Sequence, residues 1–178
     1  MLITGVSGLL GNNLALYFRD KLKVHGLSHQ NPVVIPGVSI ESADLRKKGL
    51  FERVISKFSP NIIIHCASLT NVDYCEENPD EAFAMNVNST QNLLDCIEKN
   101  SRVKFILIST DSVYGENEGP QHTEEITSPC NVYGKTKLQG EKVVDGIPNS
   151  LILRTNIFGW NIQDKNSLGE WILRELTQ

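Results

Sequence analysis

The sequence is short of the features that mark several classes of protein. Its 178 residues hold four cysteines, Cys66, Cys75, Cys96 and Cys130. None forms a CxxC pair and their spacing matches no zinc pattern, which argues against a metal centre and for reduced thiols in a cytoplasmic protein. No apolar stretch approaches the roughly 20 residues that span a bilayer. The opening residues lack a basic n-region, and Gly5, Gly8 and Gly11 interrupt their apolar run, so they read as a strand and turn rather than a signal peptide. No long block of like charge occurs and net charge is −4, so nothing points to a nucleic-acid or membrane surface. Internal repeats and low-complexity segments are missing too. What is there is the composition of an ordinary soluble metabolic protein, 40% hydrophobic and 21% charged, long enough for one well-buried domain.

Short apolar runs alternate with longer amphipathic ones. Residues 2–4, 23–28, 38–40, 62–65, 103–108 and 150–153 read as strands. The run Ile62-Ile63-Ile64 is of the kind buried on both faces of a sheet. Residues 9–21, 49–58, 78–99, 133–144 and 167–176 read as helices. Pro79 in a first turn with Asp80 beside it makes a strong helix start. Residues 115–129 are polar and without period, as expected of a surface loop. The alternation predicts an α/β fold, a Rossmann-type doubly wound parallel sheet with helices on both faces.

Two patterns carry chemistry. The first is Thr4-Gly5-Val6-Ser7-Gly8-Leu9-Leu10-Gly11 at the first strand–helix junction. Glycine lets backbone approach a pyrophosphate, and the amides opening a helix supply donors and positive dipole. Gly5, Ser7, Gly8, Leu9, Leu10 and Gly11 are therefore candidate cofactor contacts. An acid that would hold the ribose of NAD is missing after the second strand, where Ser28 and His29 stand instead. That leans the cofactor towards NADP(H) over NAD(H), although the expected arginine is missing there too. Asp44 and Leu45 follow the third strand and are placed to reach the adenine, with a helix-capping aspartate as the alternative.

The second pattern is Tyr133-Gly134-Lys135-Thr136-Lys137. On one helix, Tyr133 and Lys137 share a face. An ammonium beside a phenol favours the phenolate and is expected to pull the tyrosine pKa down from roughly 10. Tyr133 then serves as proton donor to a carbonyl, or acceptor from an alcohol.

These segments resemble the extended short-chain dehydrogenase/reductases over essentially the whole chain. The shared marks are the glycine loop, His65-Cys66-Ala67-Ser68, Asn86, Ser109-Thr110-Asp111 with Val113-Tyr114-Gly115, Tyr133 with Lys137, and Leu153-Arg154-Thr155-Asn156. Within that superfamily the chain is most similar to the dTDP-4-dehydrorhamnose reductases, through Asn71-Val72-Asp73, Cys75-Glu76, Asn78-Pro79, residues 131–138 and Gly140-Glu141. The resemblance implies Thr110, Tyr133 and Lys137 as catalytic residues: Thr110 bonded to the reacting oxygen, Tyr133 the general acid, Lys137 lowering its pKa and holding the nicotinamide ribose. It implies further cofactor contacts at Cys66, Ala67, Ser68, Asn86, Ser109 and Asn156, and a nucleotide-sugar substrate reduced at its C4 ketone.

Members of that family are longer, and the extra length supplies much of a small substrate domain. The resemblance therefore implies one NAD(P)-binding domain over residues 1–178, with the helix near 167–176 a candidate start of the substrate domain, and poor or no turnover by this polypeptide alone. It also implies a homodimer through helices 80–99 and 133–144, unless their apolar positions face the sheet. Two other readings stay open: an epimerase or dehydratase of the same superfamily, and a non-catalytic subunit resembling the regulatory subunit of methionine adenosyltransferase.

Overall fold

The computed structural model describes residues 1–47, 49–97, 102–115, 126–162 and 167–177. Its centre is a six-stranded, wholly parallel sheet: β1 (Leu2–Thr4), β2 (His25–Ser28), β3 (Ser39–Ser42), β4 (Ile62–His65), β5 (Lys104–Ser109) and β6 (Ser150–Arg154). The spatial order is β3-β2-β1-β4-β5-β6, so the winding reverses between β1 and β4. Leu2 pairs with both His25 and Ile63, and Ile106 with both Ile64 and Leu151. In such a sheet the crevice at the carboxyl ends of the strands, where the order reverses, is where ligands bind.

Helices α1 (Leu9–Phe18), α2 (Leu50–Phe58), α3 (Val72–Glu77), α4 (Pro79–Phe83), α5 (Ser89–Ile97), α6 (Val132–Val144) and α7 (Leu168–Leu176) connect and flank the strands. One face of the sheet packs Leu2, Ile63, Phe105 and Leu107 against Phe51 and Val54 of α2, Leu93 and Leu94 of α5 and Val144 of α6. The other packs Ile3 and Val6 against Ala15 of α1. Leu151 and Leu153 of the edge strand β6 remain exposed.

The expected elements are present, with informative differences. The helix expected over 78–99 begins with Pro79 in its first turn but is interrupted by a π turn, Ala84–Asn88, before α5 resumes. Such bulges concentrate at functional sites. A short α3, capped by the Asn71 side chain on Tyr74 N at 3.0 Å, precedes it in a stretch the periodicity left unassigned. Helix α1 stops at Phe18 rather than 21, with Lys21 and Leu22 folding back onto the Phe18 carbonyl. Strand β3 is displaced towards the carboxyl side of 38–40 by its pairing with β2. Most of the loop expected at 115–129 lies outside the described residues.

Candidate active site

The loop after β1 is tight enough to exclude side chains. Gly5 sits at φ +67°, and a Cβ there would lie 2.8 Å from the Ala67 backbone. A Cβ on Gly11 would lie 2.3 Å from the Gly5 carbonyl oxygen. Helix α1 opens directly from Gly8 with no side-chain cap and no acid in its first turn. Its first amides and the positive end of its dipole thus face the crevice, the arrangement that accepts a pyrophosphate.

From this loop a groove of about 700 Å³ crosses the ends of the strands. Gly5, Ser7, Gly8, Leu9, Leu10 and Gly11 form one end, with Ser28 and His29 after β2 and Leu45 after β3. Cys66, Ala67 and Ser68 after β4 form the floor. Ser109, Thr110, Tyr133, Lys137 and Asn156 close the far end. The parallel topology thus brings together segments from β1 to β6, because every strand ends on the same side.

Two expected groove residues lie elsewhere. Asp44 is held in the fork of Arg46, with Nε 2.9 Å from Oδ1 and Nη2 3.1 Å from Oδ2, and caps no helix among the described residues. That guanidinium holds the carboxyl down at about 2. Asn86 is buried in the π turn, outside the groove wall, and fully engaged. Its Oδ1 accepts from Ser68 Oγ at 2.9 Å and Leu69 N at 2.8 Å, while Nδ2 donates to Leu69 O at 3.1 Å and Thr136 Oγ1 at 3.0 Å. Asn86 therefore ties the segment after β4 to the helix of Tyr133 and Lys137.

Thr110 and Tyr133 stand together at this end of the groove, where the Thr110 hydroxyl favours the ionised phenol. Thr110 is fixed by its neighbours: Oγ1 accepts from Ser112 N at 3.2 Å and lies 3.1 Å from Asp111 Oδ1. The Tyr133 pKa is raised, against the expectation that Lys137 lowers it. Burial of the phenol is the main cause, the nearby Thr110 hydroxyl opposes it, and Asp111 and Cys75 add to it. Lys137 is directed away: its ammonium donates to the Ile108 carbonyl at 2.6 Å. Burial brings its pKa down to about 8, with Glu141 and Cys66 working against that fall. Thr155 and Asn156 line the groove as expected of the segment after β6, and Asn156 Nδ2 donates to Asp111 Oδ2 at 3.3 Å. Arg154 is drawn inward to Glu141, with Nη2 2.7 Å from Oε2.

A family model described as the RmlD substrate binding domain matches residues 1–176. The chain belongs to this family. Among curated relatives, the dTDP-4-dehydrorhamnose reductase of Aggregatibacter actinomycetemcomitans is 33% identical over 88% of this chain and 50% of its own length. The methionine adenosyltransferase 2 subunit beta of Bos taurus is 34% identical over 81% of this chain and 42% of its own. A hypothetical dTDP-4-dehydrorhamnose reductase from Sulfolobus tokodaii superposes at TM-score 0.78 with 32% identity, covering 86% of this chain and 54% of that one. A UDP-glucuronic acid 4-epimerase from Bacillus cereus, 25% identical at TM-score 0.73 over 86% of this chain and 54% of its own, was solved with NAD. The RmlD-family chain thus spans about half the length of the relatives it matches.

The sequence reading of this RmlD-family chain missed Arg46 in the groove wall. Two residues from Asp44, it had a local signal as a salt-bridge partner. Its second partner, Glu81 at 3.1 Å, comes from α4 and had none.

Proposed function

We infer that this chain is the nicotinamide-dinucleotide-binding part of a reductase that acts on the C4 ketone of a nucleotide-activated 6-deoxy sugar. The observation that carries the reading is the meeting of Thr110, Tyr133 and Lys137 at the far end of the groove that opens on α1. A bound nicotinamide would supply the hydride that reduces the ketone carbon. The chain's share is position and protons. The glycine loop and the first amides of α1 hold the pyrophosphate, and Ala67 and Ser68 support the middle of the dinucleotide. Tyr133, kept protonated by its burial and by Asp111, donates its proton to the oxygen that gains charge. Thr110 holds that oxygen by a second hydrogen bond, and Lys137 contributes positive field from behind.

The elevated Tyr133 pKa suits a general acid, which supports reduction as the working direction. NADP(H) is the preferred form on this reading, since no acid follows β2 and Arg46 borders the groove near His29. The wide spacing of four free thiols and the net charge of −4 support a cytoplasmic setting. The second reading, a regulatory subunit, is supported by the similarity to methionine adenosyltransferase 2 subunit beta.

A fluorescence titration of the chain with NADPH and NADH tests the proposal. Saturable binding, tighter for NADPH and abolished by Gly11→Val, is the expected result. The valine side chain would occupy the space of the Gly5 carbonyl. Failure of both dinucleotides to bind a folded chain would refute the cofactor assignment.

A further inference from the structure

Glu141 is a carboxylate with 4% of its surface exposed, one turn beyond Lys137 on α6. Arg154 clasps it, with Nε 3.0 Å from Oε1 and Nη2 2.7 Å from Oε2, and the Ser109 hydroxyl donates to Oε1 at 2.5 Å. Arg154 Nη1 donates to the Tyr114 hydroxyl at 2.8 Å. The four residues come from the end of β5, the turn after Thr110, α6 and β6, so the cluster brackets the strand end that presents Thr110.

Taking two charges out of water costs about as much as their attraction returns, and packed apolar residues often serve stability as well. Stability is therefore a poor reason for this pair, and its neighbours supply a better one. Ser109 adjoins Thr110, and Lys137 is an ammonium with 5% exposure. The groups facing that ammonium are Glu141 on its own helix, His65 and Cys66 at the end of β4, and the Ile108 carbonyl on β5. Burial keeps the Cys66 thiol neutral, pushed up to about 12, and the His65 ring neutral, pushed down to about 3. Glu141 is the one carboxyl group among them.

We propose that Glu141 is a positioning residue: braced by Arg154 and Ser109, it seats α6 against the end of β5 and supplies the counter-charge for buried Lys137. Its consequence for turnover rests on the function inferred above for Thr110, Tyr133 and Lys137. A role in packing alone would leave the Lys137 titration where it is.

The test is an NMR titration of the chain labelled with ε-¹³C lysine, with the Lys137 signal assigned by its loss in Lys137→Gln. The wild-type midpoint is expected near pH 8. Glu141→Gln should move it down by roughly one unit, as loss of an opposite charge one helical turn away requires. Because that variant leaves Arg154 charged and half-paired, Glu141→Met combined with Arg154→Met provides a second route, with a shift in the same direction. An unmoved midpoint in either folded variant overturns the proposal. Dinucleotide binding is followed in parallel: a wild-type chain that binds none refutes the inferred function, while the midpoint still decides the role of Glu141.

Discussion

Acid should weaken this fold through His65, and the size of the effect can be worked out from its surroundings. The ring has 1% of its surface exposed, at the carboxyl end of a central strand. Thr4 Oγ1 accepts from Ala67 N at 3.2 Å and shares a hydrogen bond of 2.7 Å with His65 Nδ1. The other ring nitrogen, Nε2, has no hydrogen-bond partner among the described residues. A second proton would charge the ring in a dry site near the Lys137 ammonium, with only one of its two N–H groups partnered. Burial, and then Lys137, push the pKa down to about 3. In the unfolded chain the ring titrates near its ordinary value of 6.5. The sign follows: below the unfolded value the unfolded state binds the extra proton, so stability falls as pH falls from about 6.5 towards about 3. At about 1.4 kcal/mol per unit, the loss between pH ~7.5 and pH ~5 is about 2 kcal/mol from this ring alone. His25, buried with no hydrogen-bond partner among the described residues and stacked on Phe58, adds a contribution of the same sign. Urea unfolding at both pH values, on the wild type and on His65→Leu, isolates the part due to His65. The variant should lose less stability on acidification, by about 2 kcal/mol. Equal pH dependence in the two proteins would refute the account of a buried, neutral ring.

Two further outcomes follow from the site geometry. Tyr133→Phe keeps the ring and removes the proton donor, so dinucleotide binding should be preserved. Turnover by a complete protein carrying the change should fall by roughly 10²- to 10⁴-fold, measured as NADPH consumption with a nucleotide-linked 4-ketosugar. Asn86→Leu strips two acceptor and two donor contacts from a buried position and leaves the Leu69 amide without its partner. Chemical denaturation should show a loss of about 1–3 kcal/mol, and hydrogen exchange at Leu69 should speed up. Unchanged exchange there would refute the bridging role of Asn86.

What was legible in the sequence was whatever depends on neighbours along the chain. The glycines of the first loop announce a strand-to-helix turn, and the spacing of Tyr133 and Lys137 places both on one helical face. Strand identity followed from continuous apolar runs, and a parallel order from their alternation with helices. From these came the family resemblance and the expected groove, which the shared exit side of parallel strands assembles.

Only the tertiary structure decided the charge states and the partners. Lys137 and Tyr133 share a face, yet the lysine turns to the Ile108 carbonyl of β5, and burial sets the tyrosine pKa. Arg46 became part of the groove wall because the loop after β3 folds against α4, where Glu81 receives it. Asn86 left the expected cofactor wall because a π turn aims its amide at Leu69 and Thr136. The physical reason is common to all three. Period and motif report which face a side chain takes, but the free energy of a charge or an amide depends on what stands within a few ångströms of it. In this chain those neighbours come from segments as distant in sequence as Arg46 and Glu81, 35 residues apart, and Asn86 and Thr136, 50 apart.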